Sequence, residues 1–527
     1  MSHTDPDANH EDDGTSALPL PRTLWDWLKV FGPGAVIASL TIGTGELIFS
    51  TRGGALFGYR ILFLFVIISV LKWGLVLATS RHMVLSGVHP YRRLIDLPGP
   101  RGWFPAMLFM IAAVCMPIWV SFHSGVLGNL TAWVTGTHGM YQGGVDYLWG
   151  AAILTSVLTL SATSGYAALE RIQLAIVAAL VGCAGVTLIL YNPDWLALLE
   201  GAFIPQPYVY PEWLGAEYPE IASAPVWVET TRYVGVIGGA AYDYLAYTSF
   251  LREKNWGRAS LGAASPAELQ QMADDPSHPV RRWVRAPLVD CSLSFIVVVA
   301  FSAVFVASGA MILGPGHKIP DENNLLNLQA EFVTGLHPWL LPLYVAGAFL
   351  TMLGTLYGTL EIACAIFEEI LRAVNEQFVA QHRRSIKIAV VAWCAVIAYV
   401  ILGWLFNYQS TGGESKPRLL LAILTPANLF TGVLGCGLIC FANVWMDRRF
   451  LPGPLRMPGW LLVLNLISGV AFIALGLKGY WDHTSRWFAI GSLFGLLCCG
   501  WLVAGLVRVW WSPEPDSSDS DSAEYGS

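Results

Sequence analysis

Two glycine-rich stretches hold the residues of this sequence most suited to chemistry. Gly43-Thr44-Gly45-Glu46 places a carboxylate directly after two glycines that flank a hydroxyl. The stretch from Gly238 and Gly239 to Tyr242 and Asp243 repeats that arrangement some 200 residues later. A glycine inside a helix costs about 1 kcal/mol relative to alanine, so each stretch is expected to interrupt a helix and free backbone groups. Glu46 and Asp243 then offer hard oxygen ligands, joined by Tyr242, Thr44 and carbonyls near Gly43 and Gly239. Such an oxygen-only set suits magnesium, calcium or manganese. The same glycine–hydroxyl–glycine break can instead present N–H groups at a half-helix N-terminus to the carboxylate of a small solute such as an amino acid. A plain contact between small residues of neighbouring helices would need no ligand. Lys72 bears on the choice, because an ammonium in the same apolar surroundings needs a partner. Glu46, Asp243 and Asp290 are the candidates. Each pairing takes charge from a metal site, and a fixed cation facing the cavity favours an organic or anionic solute.

These residues sit in a chain built to leave water. Hydrophobic residues make up 55% of 527 and charged residues 13%, against roughly 25% charged in soluble domains; the mean hydropathy is +0.54. A bilayer core takes about 20 apolar residues per helix. Twelve stretches qualify, near 31–57, 60–85, 104–133, 147–164, 170–190, 233–251, 288–313, 338–371, 387–406, 419–445, 459–478 and 487–511. The loops after the even-numbered spans hold eighteen Lys and Arg, those after the odd-numbered spans eight. Positive loops face the cytoplasm, so both termini are expected inside a cell membrane, plasma or bacterial inner. Residues 1–26 and 512–527 are polar and acidic and read as disordered tails. Residues 191–231 are expected to form an ordered external cap. In the loop 253–287, Ser265 and Pro266 predict the start of a short helix.

The interrupted stretches fall in the first and sixth spans. Glycine-interrupted spans at matching positions of two halves mark a transporter site. The spacing of five suits an all-α, five-plus-five inverted repeat (about 31–190 and 233–445) with two extra helices (459–511). Other polar residues inside spans are open to two readings. His123 is either a proton relay or a hydrogen-bonded structural residue, and Arg52 is placed to gate an entrance by pairing with an acid. Glu361, Glu368 and Glu369 form a carboxylate group near one end of the eighth span. The nine cysteines all fall in apolar runs and read as buried thiols. No nucleophile–base pair or nucleotide motif points to an enzyme, and no cofactor or nucleic-acid partner is expected. The bilayer and a small solute or metal ion are the expected partners. A membrane sensor that does not transport is a further alternative.

The residues resemble those of the Nramp family of divalent-metal transporters, which share the leucine-transporter fold. The family's first helix reads GPG, eight residues, DPGN, and an FGY-like end. Here Gly32-Pro33-Gly34 is followed by eight residues, GTGE, and Phe57-Gly58-Tyr59, and the match continues without a gap to Arg81. The sixth span, VIGGAAYDYLAYTSF, is similar to the family's LGATVMPHNLYLHSS. The resemblance implies a secondary-active transporter working by alternating access, with an altered site. The family's metal-binding aspartate falls on Gly43, its asparagine on Glu46, its sixth-helix methionine on Tyr242 and the following histidine on Tyr244. The acidic stretch of the third helix is missing. A methionine-containing site and family-type proton coupling are therefore not expected.

Overall fold

The computed structural model describes residues 32–163, 189–320, 326–335, 337–411, 426–483 and 486–510, with a few single positions besides. Most of the fifth expected span and of the expected N-terminal tail, the whole expected C-terminal tail, Cys183, Lys416 and Arg418 lie outside the described residues. Among the described residues the chain is helical throughout, with no strand.

The first span forms α1 (Pro33–Thr41), a π-helical stretch over Ile42–Ser50, and α2 (Thr51–Phe57). A 3₁₀ turn leads into α3 (Ile61–Ser86). There follow α4 (Trp103–Val134), α5 (Val145–Thr163), the two halves of the sixth span, α6 (Val226–Val236) and α7 (Ala241–Glu253), and α8 (Arg285–Ser308). The remaining long helices are α9 (Leu341–Val374), α10 (Glu376–Ser410), α11 (Gly435–Phe450), α12 (Gly459–Trp481) and α13 (Arg486–Trp510). Among the described residues eight helical runs are long and apolar enough to cross a bilayer, one of them, Glu46–Ser86, joining the first and second expected spans. The fourth and sixth expected spans correspond to shorter helices, α5 and the pair α6/α7. This is a multi-pass membrane protein. The outward faces of α12 and α13 fit that setting, with Ile467, Val470, Trp487, Phe488 and Leu502 exposed.

Lipid tails are as apolar as leucine, so helices in a bilayer associate through close packing and polar contacts rather than hydrophobic burial. Small residues do this work between α4 and α5. A Cβ on Gly128 would lie 1.9 Å from the carbonyl of Asp146, and one on Gly150 2.6 Å from that of Ser124. Between α2 and α8, a Cβ on Gly54 would meet the Val306 carbonyl at 2.2 Å. Polar contacts tie α3, α11 and α12 together. Thr79 Oγ1 donates to Asn443 Oδ1 (3.1 Å), Asn443 Nδ2 to the Leu75 carbonyl (3.1 Å), and Asn465 Nδ2 to that of Gly74 (3.1 Å).

The loops match their sequence signals. Ser265 caps the helix Pro266–Asp274, accepting from Glu268 N (3.2 Å) while Glu268 Oε2 accepts from Ser265 N (2.7 Å), a reciprocal capping box. Residues 195–222 form three short helices, held in part by Trp213 stacking on His317 with centroids 4.6 Å apart.

Candidate functional site

The two expected breaks differ in kind. The sixth span is open: Ile237 is extended, Gly238 and Gly239 take φ of +79° and +95°, and Ala240 is extended again before α7. Positive φ is costly for any residue with a Cβ, which is why two glycines stand here. The first span is not unwound near 43–45 as expected. It swells instead into a π helix, whose i→i+5 bonds keep the backbone groups engaged. Gly43 serves close packing, since a Cβ there would lie 1.7 Å from Thr355 Oγ1 of α9. Thr44 and Gly45 continue the π-helical backbone; the placement of the Thr44 side chain lies outside what is described.

The open turn is held by three side chains. Glu46, fully buried, accepts from Gly238 N through Oε1 (3.0 Å), and its Oε2 has no partner among the described residues. Asp243 Oδ2 accepts from Ala240 N (2.7 Å) in the first turn of α7. Lys72, also fully buried, donates from Nζ to the carbonyls of Ile237 (2.7 Å) and Gly239 (2.6 Å). The expected carboxylate partner is not what Lys72 finds. The turn releases carbonyls from the helical ladder, and these take the ammonium. Asp290 is engaged elsewhere. Its carboxylate accepts from Gly32 N (2.9 Å), Gly34 N (2.8 Å) and the Tyr247 hydroxyl (2.7 Å), satisfying the free amides at the start of α1.

A small cavity of about 60 Å³ lies against the turn. Gly239, Tyr242 and Asp243 line it from the sixth span, Thr41 from α1, Met116, Trp119 and His123 from α4, and Thr355 and Thr359 from α9. Gly43, Glu46 and Lys72 are not among its lining residues, so the expected site residues divide between the cavity and the supports of the turn. Tyr242 presents its ring, because its hydroxyl donates to the carbonyl of Leu108 (2.7 Å). His123 Nδ1 lies 3.2 Å from Thr359 Oγ1, while its buried Nε2 has no partner among the described residues. Met116 and Trp119 carried no signal in the sequence. They sit in an ordinary apolar helix, and only the tertiary fold shows that they face Asp243's cavity. Among the described residues no three His, Cys, Asp or Glu cluster as a metal site.

The cavity lies between two buried latches. At the end where α1 begins, Asp290 joins α1, α7 and α8, and His89 clamps α7: Nε2 lies 3.1 Å from the Leu245 carbonyl and 2.8 Å from Thr248 Oγ1. Tyr91 N donates to Nδ1, which assigns the ring proton to Nε2. At the opposite end Arg52 of α2 pairs with Glu229 of α6 (Nε–Oε1, 2.5 Å) and also donates to the Pro320 carbonyl (2.9 Å). Glu361 pairs with Lys387 (2.9 Å), and Glu368 and Glu369 bridge to Arg372.

Burial pushes His89 down from 6.5 to about 4, with Glu369 opposing the shift and Arg252 adding to it. Between those two pH values the unfolded chain binds a proton that the folded chain does not, so stability falls as pH drops through this window and is intact above it. The loss from this residue should be roughly 3 kcal/mol by pH 4. Melting curves of wild type and H89Q between pH 7.5 and 4 check this. The variant should start less stable and lose less on acidification; equal slopes would contradict the assignment.

No family model matches the sequence. Curated relatives do: the divalent metal cation transporter MntH of Listeria innocua is 22% identical over 358 residues, covering 65% of this chain and 70% of the relative. That of Listeria monocytogenes matches to the same extent. Among solved structures, a mutant of the manganese transporter of Eremococcus coleocola superposes with a TM-score of 0.65 at 13% identity, covering 94% of this chain and 98% of that one. The same transporter in complex with an aromatic bis-isothiourea substituted compound gives 0.61. The chain thus shares the fold of this manganese transporter along nearly its whole length.

Proposed function

We propose that this chain is a secondary-active transporter that carries a divalent metal cation across the cell membrane by alternating access. One observation carries the reading: the open turn of the sixth span delivers Asp243 to a buried cavity between two latches, in a chain that is similar in sequence to metal transporters. Asp243 supplies the charge, His123 Nε2 and Met116 sulfur supply softer donors, and the threonine hydroxyls complete the lining. The termini are cytoplasmic in this reading, on the distribution of Lys and Arg between loops. Opening then means releasing either the Arg52–Glu229 pair or the Asp290 contacts, never both together.

The donor set sets the preference. The sequence suggested oxygen ligands alone, for which manganese would bind only modestly better than magnesium. With a thioether and an imidazole on the cavity wall, manganese and cadmium should bind at least about tenfold more tightly than magnesium. M116A should reduce that margin, most for cadmium. Calorimetry on purified protein and variant reads both; equal affinity for all three ions would remove Met116 and His123 from the site.

A second reading, a small organic solute, is favoured by charge. If all three groups are ionised, Glu46 and Asp243 against Lys72 leave one net negative charge near the turn, which matches a single amine better than a divalent ion. Capture of a carboxylate by the amides of residues 43–45 finds no support, because the π helix keeps them engaged. Uptake of manganese into proteoliposomes decides. Saturable uptake supports the metal reading; no metal uptake with saturable binding of an amine supports the second. Neither uptake nor binding would favour a sensor.

A further inference from the structure

We infer that the two carbonyls freed by the sixth-span turn form a monovalent-cation site, which the chain fills with its own Lys72 ammonium. The turn breaks the helical ladder at Ile237–Ala240, and the carbonyls of Ile237 and Gly239 converge on one point. Nζ occupies that point at 2.7 and 2.6 Å, the range of charge-assisted hydrogen bonds. Converging carbonyls of this kind replace a cation's hydration shell. Among the described residues no carboxylate oxygen lies within 4.0 Å of Nζ, so the Lys72 head group is held by carbonyl dipoles and not as half of an ion pair. The remaining groups of the turn are spoken for: Gly238 N binds Glu46, and the Gly238 carbonyl accepts from the Tyr244 hydroxyl. Lys72 is fully buried on a helix of its own, α3, and reaches the turn from outside the cavity lining. A charge tethered there stays with the protein whichever way the cavity opens. The turn therefore needs no sodium or potassium to be stable. This holds whether the cargo is a metal or an amine.

Truncation of Lys72 should turn the carbonyl pair into a vacant site for a free monovalent cation. Wild type and K72A are to be melted in sodium, potassium, methylammonium and choline chlorides at equal ionic strength. Wild type should show the same midpoint in all four salts. K72A should melt lowest in choline and gain about 3 °C or more, saturably, with at least one of the smaller cations. K72R retains the charge and should respond to none. The inference fails if K72A melts alike in every salt, or if sodium or potassium saturably stabilises wild type. It also fails if K72A cannot be recovered folded in any of them, since a free cation then does not replace the ammonium. Manganese uptake plays no part in this readout, so a failed metal reading and a failed cation site are told apart.

Discussion

R52Q should lose about 3–5 kcal/mol of stability, the usual cost of breaking a buried ion pair from one side. Arg52 and Glu229 meet through two hydrogen bonds, Nε to Oε1 at 2.5 Å and Nη2 to Oε2 at 3.3 Å, with both side chains largely out of solvent. Without the guanidinium, Glu229 keeps only the Tyr233 hydroxyl (2.9 Å) and the half-exposed Arg232 (3.3 Å). Those contacts place the loss nearer the lower bound. The double variant R52Q/E229Q removes both charges and should recover much of the loss. R52K should not, because an ammonium cannot reproduce the forked contact and the Pro320 carbonyl bond together. Unfolding of wild type, R52Q, E229Q and the double variant in detergent gives the coupling between the two sites, with R52K as the contrast. An R52Q as stable as wild type would mean that the pair is hydrated and closes nothing.

D243N should bind and carry manganese roughly 100-fold less well, about 2.7 kcal/mol, while folding normally. The substitution removes the one carboxylate that lines the cavity. It also keeps an oxygen that can accept from Ala240 N, so the first turn of α7 remains capped. The separation of effects is the test. D243A, which loses the cap as well, should cost about 1 kcal/mol more in stability for a similar loss of binding. Uptake by D243N equal to that of wild type would exclude this cavity as the metal site. E46Q is the useful contrast, because Glu46 supports the turn through Gly238 and does not line the cavity.

What the sequence made legible was whatever depends on local composition. Apolar length located the spans, paired glycines located the open turn at 238–239, and Ser265 with Glu268 located a capping box. The resemblance through Gly32-Pro33-Gly34 to Arg81 pointed to the fold that the solved manganese transporter shows. What stayed hidden depends on backbone groups, which have no letter of their own. By its letters Lys72 pairs with acids at similar depth, yet its partners are carbonyls that exist as free acceptors only once Gly238 and Gly239 have turned the chain. Asp290 is one such acid, whereas the unbonded amides of Gly32 and Gly34 have the stronger claim on it. Gly43 reads as a break and is a point of contact with Thr355. Met116 and Trp119 were invisible because a helix in lipid is apolar on every side, so periodicity cannot tell which side meets the cavity.

Three π-helical stretches occur among the described residues: Ile42–Ser50 in the first span, Gly309–Leu313 after α8, and Leu429–Leu434 before α11. The second and third each abut a helix of an interrupted span. Gly309 abuts the Thr51 carbonyl at the start of α2, and Gly432 abuts that of Gly235 in α6. A wide turn holds one residue more than an α turn. Passing that surplus along the helix would rotate the segment it crosses by about 100° and advance it by about 1.5 Å, while disrupting only a few hydrogen bonds at any moment. Rotation in the first span would swing Glu46 away from Gly238, its partner in the turn. Stored register of this kind would let an unbroken helix act as a screw, with the open turn of its partner serving as the hinge.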